Sequence, residues 1–114
     1  MKTEVAEVAQ QIAQTILQQL GGRMFVTMTG ANDIRFDEYG SLYMKIGKNA
    51  KGVTNVKIRL TPLDDYEMIF HRISGRVYKN HYIPNGKIIS IVEHVYCDQL
   101  CEVFERETGL YTHL

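Results

Sequence analysis

The stretch SIVEHVYCDQLCEVFERETGLYTHL, residues 90–114, carries the strongest local pattern in the chain. Ser90 followed by Glu93 matches a capping box, in which each side chain satisfies a free amide at the start of a helix. One stripe of such a helix would hold Val92, Tyr96, Leu100, Val103 and Phe104. The stretch therefore predicts an amphipathic helix that begins near Ile91, packs on a sheet and ends at Gly109.

Upstream of this stretch, apolar and polar residues alternate in short runs, as they do in half-buried strands. These runs are Met24 to Thr29, Ile34 to Phe36, Ser41 to Ile46 and Asn55 to Thr61. Tyr66 to Ile73 is predicted as a further strand, and because its apolar residues lie on both faces it is expected at the centre of the sheet. A weaker pair of runs, Val77 to Ile83 and Lys87 to Ile89, is joined by Pro84-Asn85-Gly86, a sequence that suits a hairpin. The pattern predicts an antiparallel sheet of four to six strands.

A second helix is predicted at the N-terminal side, where Thr3 is a suitable N-cap and Gly21-Gly22 is a stop signal. Its apolar residues at helical spacing are Val5, Val8, Ala9, Ile12, Ala13, Ile16 and Leu20. No linker, repeat or low-complexity run divides the chain, so residues 1–114 are expected to form a single α+β domain. The simplest arrangement packs the N-terminal and the C-terminal helix on one face of the sheet.

The charges of the chain are segregated along the sequence. The 114 residues contain 13 basic and 13 acidic side chains, so no overall charge draws the whole molecule to nucleic acid or to a membrane. Between Tyr43 and Lys87, however, there are nine basic residues and three acidic ones, which is a local excess of +6. The middle of the chain is basic and both flanking parts are acidic.

Two features bear on the expected compartment. No apolar run approaches the roughly 18 residues that a membrane span requires, and charged residues occupy the N-terminus where a signal peptide is apolar. Cys97 and Cys101 are four residues apart on a predicted helix, where two side chains seldom form a disulfide. We therefore expect reduced thiols in a cytoplasmic protein that does not contact a membrane.

The basic middle of the chain contains the best candidate for a functional site. Side chains alternate across a strand, so Tyr43, Lys45, Lys57 and Arg59 should lie on the sheet face opposite the helices. The loop GKNAKG, Gly47 to Gly52, adds Lys48 and Lys51. Cations neutralise phosphates and aromatic rings stack on bases, so these six residues are candidates for binding an anionic ligand or nucleic acid. The alternative is a solvated face, the commoner use of such residues on strands.

Motifs of catalytic or metal-binding proteins are not found in the chain. The Gly47 to Gly52 loop lacks the spacing of a nucleotide-phosphate loop. His94, Cys97 and Cys101 would share one side of the predicted helix, but a reduced cysteine pair explains them better than zinc or a Cys-His nucleophile. The acidic pairs Asp37-Glu38 and Asp64-Asp65 fit turns. The sequence predicts no enzyme activity, no metal and no cofactor.

Several longer motifs together resemble a known family. They are AQTILQQLGG (Ala13 to Gly22), FVTMTGA (Phe25 to Ala31), DDYEMIFHRI (Asp64 to Ile73) and the closing stretch Val95 to Leu114. The combination resembles a family of small uncharacterised proteins of bacteriophages and conjugative elements. The resemblance implies an accessory gene product that acts by binding, for example in counter-defence, and it transfers no site residues.

The leading hypothesis is a non-catalytic binding protein of a phage or mobile element. It would act on a host macromolecular complex or on an anionic nucleic-acid ligand, through Tyr43, Lys45, Lys57 and Arg59 and the lysines of the Gly47 to Gly52 loop. One alternative is a single-stranded nucleic-acid-binding factor of replication or transfer. Another is a nucleotide sponge, which requires an enclosed pocket. The expected partners are a host protein complex or nucleic acid, with a homodimer as a further expectation.

Overall fold

The computed structural model describes residues 2–78 and 81–113 of the chain. Its elements are α1 Lys2–Leu20, α2 Gly22–Thr29, β1 Asn32–Phe36, β2 Leu42–Lys45, β3 Asn55–Leu60, β4 Tyr66–Tyr78, β5 His81–Val95 and α3 Leu100–Thr108. The strands form one antiparallel sheet in chain order, with β1 and β5 at its edges. This is the α+β class that the sequence predicts, with helices on the N-terminal and C-terminal sides of the sheet.

The sheet buries one face beneath the helices. Residues at alternate positions of the three middle strands are buried on that face: Leu42, Met44, Val56, Ile58, Tyr66, Met68 and Phe70. Three aromatic rings join the layers, because the Phe104 ring of α3 contacts Phe25 of α2 with ring centroids 5.0 Å apart and Phe70 of β4 at 6.5 Å. Ile16 and Leu20 of α1 complete the same core. The other face, which we call the open face, carries no helix of the described chain.

The predicted strand Met24 to Thr29 is wrong, because these residues form the helix α2. The buried side chains are Phe25 and Thr29, which are one helical turn apart. The Thr29 hydroxyl donates a hydrogen bond to the Phe25 carbonyl at 2.7 Å. A short apolar run fits both the helical and the strand periodicity. Here the packing of Phe25 into the core stabilises the helix.

The predicted start of the C-terminal helix near Ile91 is also wrong, since the helix begins at Leu100. Residues 91–95 instead complete β5, where β-branched residues pack well. Ser90 caps no helix, and its buried hydroxyl has no hydrogen-bond partner among the described residues. The predicted end is confirmed: Gly109 follows the last turn, and its N–H donates to the Glu105 carbonyl at 2.8 Å.

The predicted hairpin turn at Pro84-Asn85-Gly86 is wrong as well. These three residues lie within β5 and pair with Ile73, Ser74 and Gly75 of β4, which was predicted to end at Ile73. The pairing of the two strands continues to Tyr78 and His81. β4 and β5 are therefore the longest strands of the sheet, with 13 and 15 residues.

None of the helices in the described chain combines the length and the apolar character that a bilayer span requires. The longest, α1, covers 19 residues and alternates its buried apolar stripe with polar glutamines on the outside. Its apolar surface is used in packing on the sheet.

Candidate anion-binding end of the sheet

The structure places four of the six candidate residues on the open face. Tyr43 and Lys57 are directly opposite each other on β2 and β3. The Lys57 ammonium lies over the Tyr43 ring, 5.3 Å from its centroid, and the Tyr43 hydroxyl donates to the Asp37 carboxylate at 3.1 Å. One face of the aromatic ring is therefore occupied by a cation of the protein itself.

The carboxylate of Asp37 is the negative group nearest to this pair. Its burial opposes ionisation, but backbone N–H groups of Ser41 and Tyr39 and the Tyr43 hydroxyl donate to it, and the Lys57 charge is close. The pKa of Asp37 is consequently lowered. Asp37 is thus anionic at neutral pH and offsets the charge of Lys57.

The remaining cations of the open face have carboxylate partners. Arg59 forms an ion pair with Glu67 on β4 at 3.3 Å, and Lys45 lies 3.8 Å from Asp33 on β1. Both pairs are at least partly exposed, so they hold little free energy and can be exchanged for another anion. Their presence nevertheless reduces the positive potential that the open face offers to a ligand.

The two loop lysines, Lys48 and Lys51, lie at one end of the sheet instead. Their loop is held by Asn49, whose amide donates to the carbonyls of Gly47 at 2.9 Å and Val53 at 2.6 Å. The Asn49 side-chain oxygen accepts from the Val53 N–H at 3.1 Å. The predicted flexible loop is therefore tied together by one side chain, and both lysines project as exposed groups from its flanks.

Two further cations join the loop lysines at this end. Arg72 of β4 lies against the loop, because its Nη1 stands 3.2 Å from the position that a Cβ on Gly52 would take. Lys87 of β5 is directly opposite Arg72 in the strand register. Like charges directly opposite each other on paired strands repel, at a cost of roughly 0.2–1 kcal/mol. An anion bound between them would relieve that repulsion.

We call this group the cationic end of the sheet: Lys48, Lys51, Arg72 and Lys87. Among the side chains of residues 6–74 and 86–113, none of the four forms an ion pair with a carboxylate. Of these four residues, only the two loop lysines were predicted from the sequence as site residues. Arg72 and Lys87 are part of the local excess of +6, but their pairing could not be predicted while Lys87 to Ile89 was expected to form a hairpin with Val77 to Ile83.

The opposite end of the sheet carries a different cluster. The His94 Nδ1 lies 2.9 Å from a carboxylate oxygen of Asp65, whose side chain is buried, and the Thr61 hydroxyl donates to the other oxygen. His94 has a positive φ of 56°, uncommon for a residue with a side chain, and lies at a bulge of β5. The hydrogen bonds from Thr61 and His94 lower the pKa of Asp65. The bond to Asp65 raises the pKa of His94.

This cluster borders an open cleft of about 280 Å³ between the β3–β4 turn and β5. Its lining includes Arg59, Leu63, Glu67 and the exposed imidazole of His94. A carboxylate that orients a histidine is an arrangement that can exchange protons with a ligand. The other polar residues of the described lining are Thr61, Asp65 and Glu93.

The predicted grouping of His94 with Cys97 and Cys101 is wrong, because the three residues do not share a helix. His94 lies in β5, Cys97 is exposed in the following turn and Cys101 is in α3. The Cys101 thiol contacts the Leu20 carbonyl at 3.2 Å. Among the described residues, no group of three metal-ligating side chains converges.

These features define an α+β protein with helices on one sheet face, an open second face and opposite charges at the two sheet ends. Comparison with protein-family models, with curated proteins and with solved structures finds no match for this chain.

Proposed function

We propose that this chain is a non-catalytic binding protein that binds an anionic nucleic-acid ligand, and that the cationic end of its sheet is the principal contact. The observation that carries the proposal is the unpaired state of Lys48, Lys51, Arg72 and Lys87 in the described structure, together with the direct opposition of Arg72 and Lys87. A nucleic-acid strand presents regularly spaced phosphates, so one ligand can meet several of these cations.

The fixed conformation of the loop supports this assignment. Asn49 makes three hydrogen bonds to the backbone across it, so the loop backbone loses little conformational entropy when a ligand binds. The open face contributes less in this proposal, because Arg59 and Lys45 already contact carboxylates and Lys57 covers the Tyr43 ring. Tyr43, Lys45, Lys57 and Arg59 are then secondary contacts along the path of the strand.

The biological context in this proposal is that of an accessory protein of a phage or mobile element, as the resemblance of its motifs implies. A single-stranded ligand is favoured over duplex DNA in this proposal, because the four cations lie on a loop and two strands and not on a helix that could enter a groove. A host protein complex, bound in counter-defence, is the competing partner. A nucleotide sponge is supported less, since the cleft beside His94 is open and is lined by three carboxylates.

The test is a titration of a fluorescently labelled single-stranded oligonucleotide with the purified protein at several salt concentrations. If four cations contact phosphates, the logarithm of the binding constant should fall with the logarithm of the salt concentration with a slope of about −3. A salt-independent weak signal, combined with a stable complex on pull-down from host lysate, would instead favour a protein partner. A thermal shift with mononucleotides alone would favour the sponge.

A further inference from the structure

A cavity of about 420 Å³ lies between α1 and the β3–β4 turn, residues 61–65. Its volume falls within the range of roughly 300–1,000 Å³ that is typical of small-molecule sites. The residues that α1 contributes are spaced three or four positions apart, so they share one side of the helix. The rest of the lining comes from the end of β3, the turn and the start of β4. Two separate parts of the chain therefore form its walls.

Aliphatic side chains form the apolar part of the wall. Ile12 of α1 and Leu60 of β3 are half-buried and pack against the core, so their positions are fixed. Val8, one helical turn before Ile12, is 55% exposed and lines the same cavity. This surface suits a short alkyl chain, because covering it removes apolar area from water.

The polar part of the lining is rich in oxygen acceptors and has a negative charge. Among the described lining residues there is no lysine, arginine or histidine, and Asp64 supplies the only carboxylate. The Thr15 hydroxyl donates to the Gln11 carbonyl at 2.9 Å, which leaves the Thr15 oxygen as an acceptor. The polar lining residues, each with an oxygen in its side chain, are Gln11, Thr15, Gln19, Asp64 and Tyr66.

Gln19 and Tyr66 are the most enclosed of these polar groups. Tyr66 is 7% exposed, and its burial raises the pKa of its phenol, while hydrogen bonding to the Gln19 side chain opposes that rise. The Gln19 side-chain oxygen is buried and has no hydrogen-bond partner among the described residues. A buried acceptor without a donor is unfavourable. A ligand that donates a hydrogen bond beside Gln19 would satisfy it.

We propose that this cavity binds the ammonium group of an aliphatic amine, with Asp64 as its counter-ion and the Gln19 oxygen as an acceptor. An ammonium group has three donors and no acceptor, which matches a lining of oxygen acceptors without a cation. The alkyl chain lies along Ile12 and Leu60. The same chemistry is present in a free small amine and in the lysine side chain of a partner protein, whose stem has four carbons.

The position of the cavity agrees with a cationic ligand. Leu60 and Tyr66 pair at the turn end of β3 and β4, whereas the cationic end lies beyond Asn55 and His71 at the other end of the same strands. A positive ligand is attracted to the turn end and a phosphate is not. The proposal therefore does not rest on the nucleic-acid ligand, and the two sites are separate surfaces.

The first test is a titration of the ¹⁵N-labelled protein with n-butylammonium chloride, followed by NMR at constant ionic strength. The resonances of the Gln19 side-chain amide and of the Asp64 backbone amide should shift and saturate. 1-Butanol, which has the same alkyl chain and no charge, should bind more weakly. Absence of a saturable shift at these groups, or equal binding of 1-butanol, would overturn the proposal.

The second test changes the counter-ion. Asp64→Asn keeps the size of the side chain and suits the left-handed backbone of this residue, φ 63°, so the fold should be retained. It should weaken n-butylammonium binding roughly two- to fivefold, the range expected for an exposed ion pair. The matched control is Asp33→Asn, which changes an exposed aspartate with a similar φ of 50° outside the cavity. Equal affinities of the two variants would contradict the role of Asp64.

The third test changes the buried acceptor. Gln19→Leu removes the oxygen, keeps a side chain of similar size, and should weaken n-butylammonium binding several-fold. The control is Gln18→Leu, because Gln18 is the neighbouring glutamine of α1, is exposed and does not line the cavity. Unchanged binding by the Gln19 variant would show that its oxygen does not accept from the ammonium group.

A capped Gly-Lys-Gly peptide distinguishes the two sources of the amine. Tighter binding of the peptide than of n-butylammonium would indicate a lysine of a partner protein, and tighter binding of n-butylammonium would indicate a free amine. The nucleic-acid proposal is tested separately, since Asp64→Asn should leave the salt slope of oligonucleotide binding unchanged. Loss of that slope in the folded variant would contradict the separation of the two sites.

Discussion

At the scale of single residues, Gly40 shows how closely the β1–β2 turn packs on α1. Its φ is +83°, and a Cβ placed on it would stand 2.7 Å from the Ile12 Cβ and 3.1 Å from the Ala9 carbonyl oxygen. Both neighbours belong to a helix that cannot shift without disturbing the core. We expect Gly40→Ala to lower the free energy of unfolding by about 2–3 kcal/mol, measured by urea denaturation.

The matched control for this prediction is Gly22→Ala at the junction of α1 and α2. Gly22 also has a positive φ, +59°, but no atom lies within 4 Å of its Cβ position. This substitution should lower the free energy of unfolding by only about 1 kcal/mol, because alanine is strained in the left-handed backbone conformation. An equal loss of unfolding free energy in the two variants would show that Gly40 is not needed to avoid crowding against α1.

The pair formed by His94 and Asp65 makes stability depend on pH. The pKa of His94 is raised, so its contribution is complete below the unfolded pKa near 6.5 and is lost as pH rises through the folded pKa. The pKa of Asp65 is lowered, so its contribution is present above about 3.8 and is lost as pH falls through the folded value. We expect the wild-type protein to lose stability as the pH rises above about 6.5 and through the raised pKa of His94, because the histidine deprotonates.

Asp65→Asn should remove most of this pH dependence and return the His94 pKa towards its ordinary value. The direct measurement is an NMR titration of the His94 imidazole. Asp64→Asn serves as the control, because the neighbouring Asp64 is exposed, whereas the imidazole bonds to the Asp65 carboxylate. An unchanged His94 titration in the Asp65 variant would mean that the 2.9 Å contact does not govern the imidazole.

At the scale of elements, the sequence correctly predicts a helix or strand when its pattern fits only one of the two periodicities. It fails where a short run fits both the helical and the strand period. The observed bounds of α1, β2 and β3 closely match the predicted ranges. An apolar stripe along a 19-residue helix fits only the helical period, and a strict alternation fits only a strand. Residues 24–29 and 90–95 are short apolar runs that suit helix and strand alike. Their state is decided by long-range contacts, Phe25 with Phe104 and Ile91 with Ile69, which local sequence does not contain.

The candidate site likewise contains two residues that the sequence identifies and two that it does not. Lys48 and Lys51 are visible in the sequence because they flank a glycine-bounded loop between two strands. Arg72 and Lys87 are fifteen positions apart and become neighbours only through the register of β4 with β5. The Asp65–His94 contact spans 29 positions and depends on the same two strands. Sequence patterns can therefore indicate a basic region, while its geometry requires the strand pairing.

The Gly47 to Gly52 loop provides a prediction at this scale. Asn49→Ala removes three side-chain hydrogen bonds and leaves every charge in place. If a fixed loop matters for binding, the affinity for the oligonucleotide should fall several-fold while the salt slope stays near its wild-type value. Fluorescence anisotropy measures both quantities in the same titration.

The control for the loop prediction is Asn32→Ala. The Asn32 amide also donates to a backbone carbonyl, that of Gly30 at 2.9 Å, but it lies outside the loop and makes a single such bond. This variant should bind the oligonucleotide like the wild-type protein. A wild-type affinity in the Asn49 variant would indicate that the lysines bind without help from the loop conformation.

At the scale of the whole molecule, the charges are sorted by the ends of the sheet and less by its faces. The strand ends beside the Gly47 to Gly52 loop carry the cations, and the opposite ends carry the acidic turn Asp64-Asp65 and Glu93. A neutral molecule of this kind has a dipolar distribution of charge. An anionic strand should therefore approach one end, and binding should weaken steeply with salt.

The cationic end is tested most directly as the principal contact by comparing two double variants in the oligonucleotide titration. Lys48→Ala with Arg72→Ala removes two charges from the cationic end, and Lys57→Ala with Arg59→Ala removes two from the open face. We predict that the first pair reduces the magnitude of the salt slope by about 1.4 and weakens binding, whereas the second changes the slope much less. A larger loss from the open-face pair would contradict the assignment of the principal contact to the cationic end.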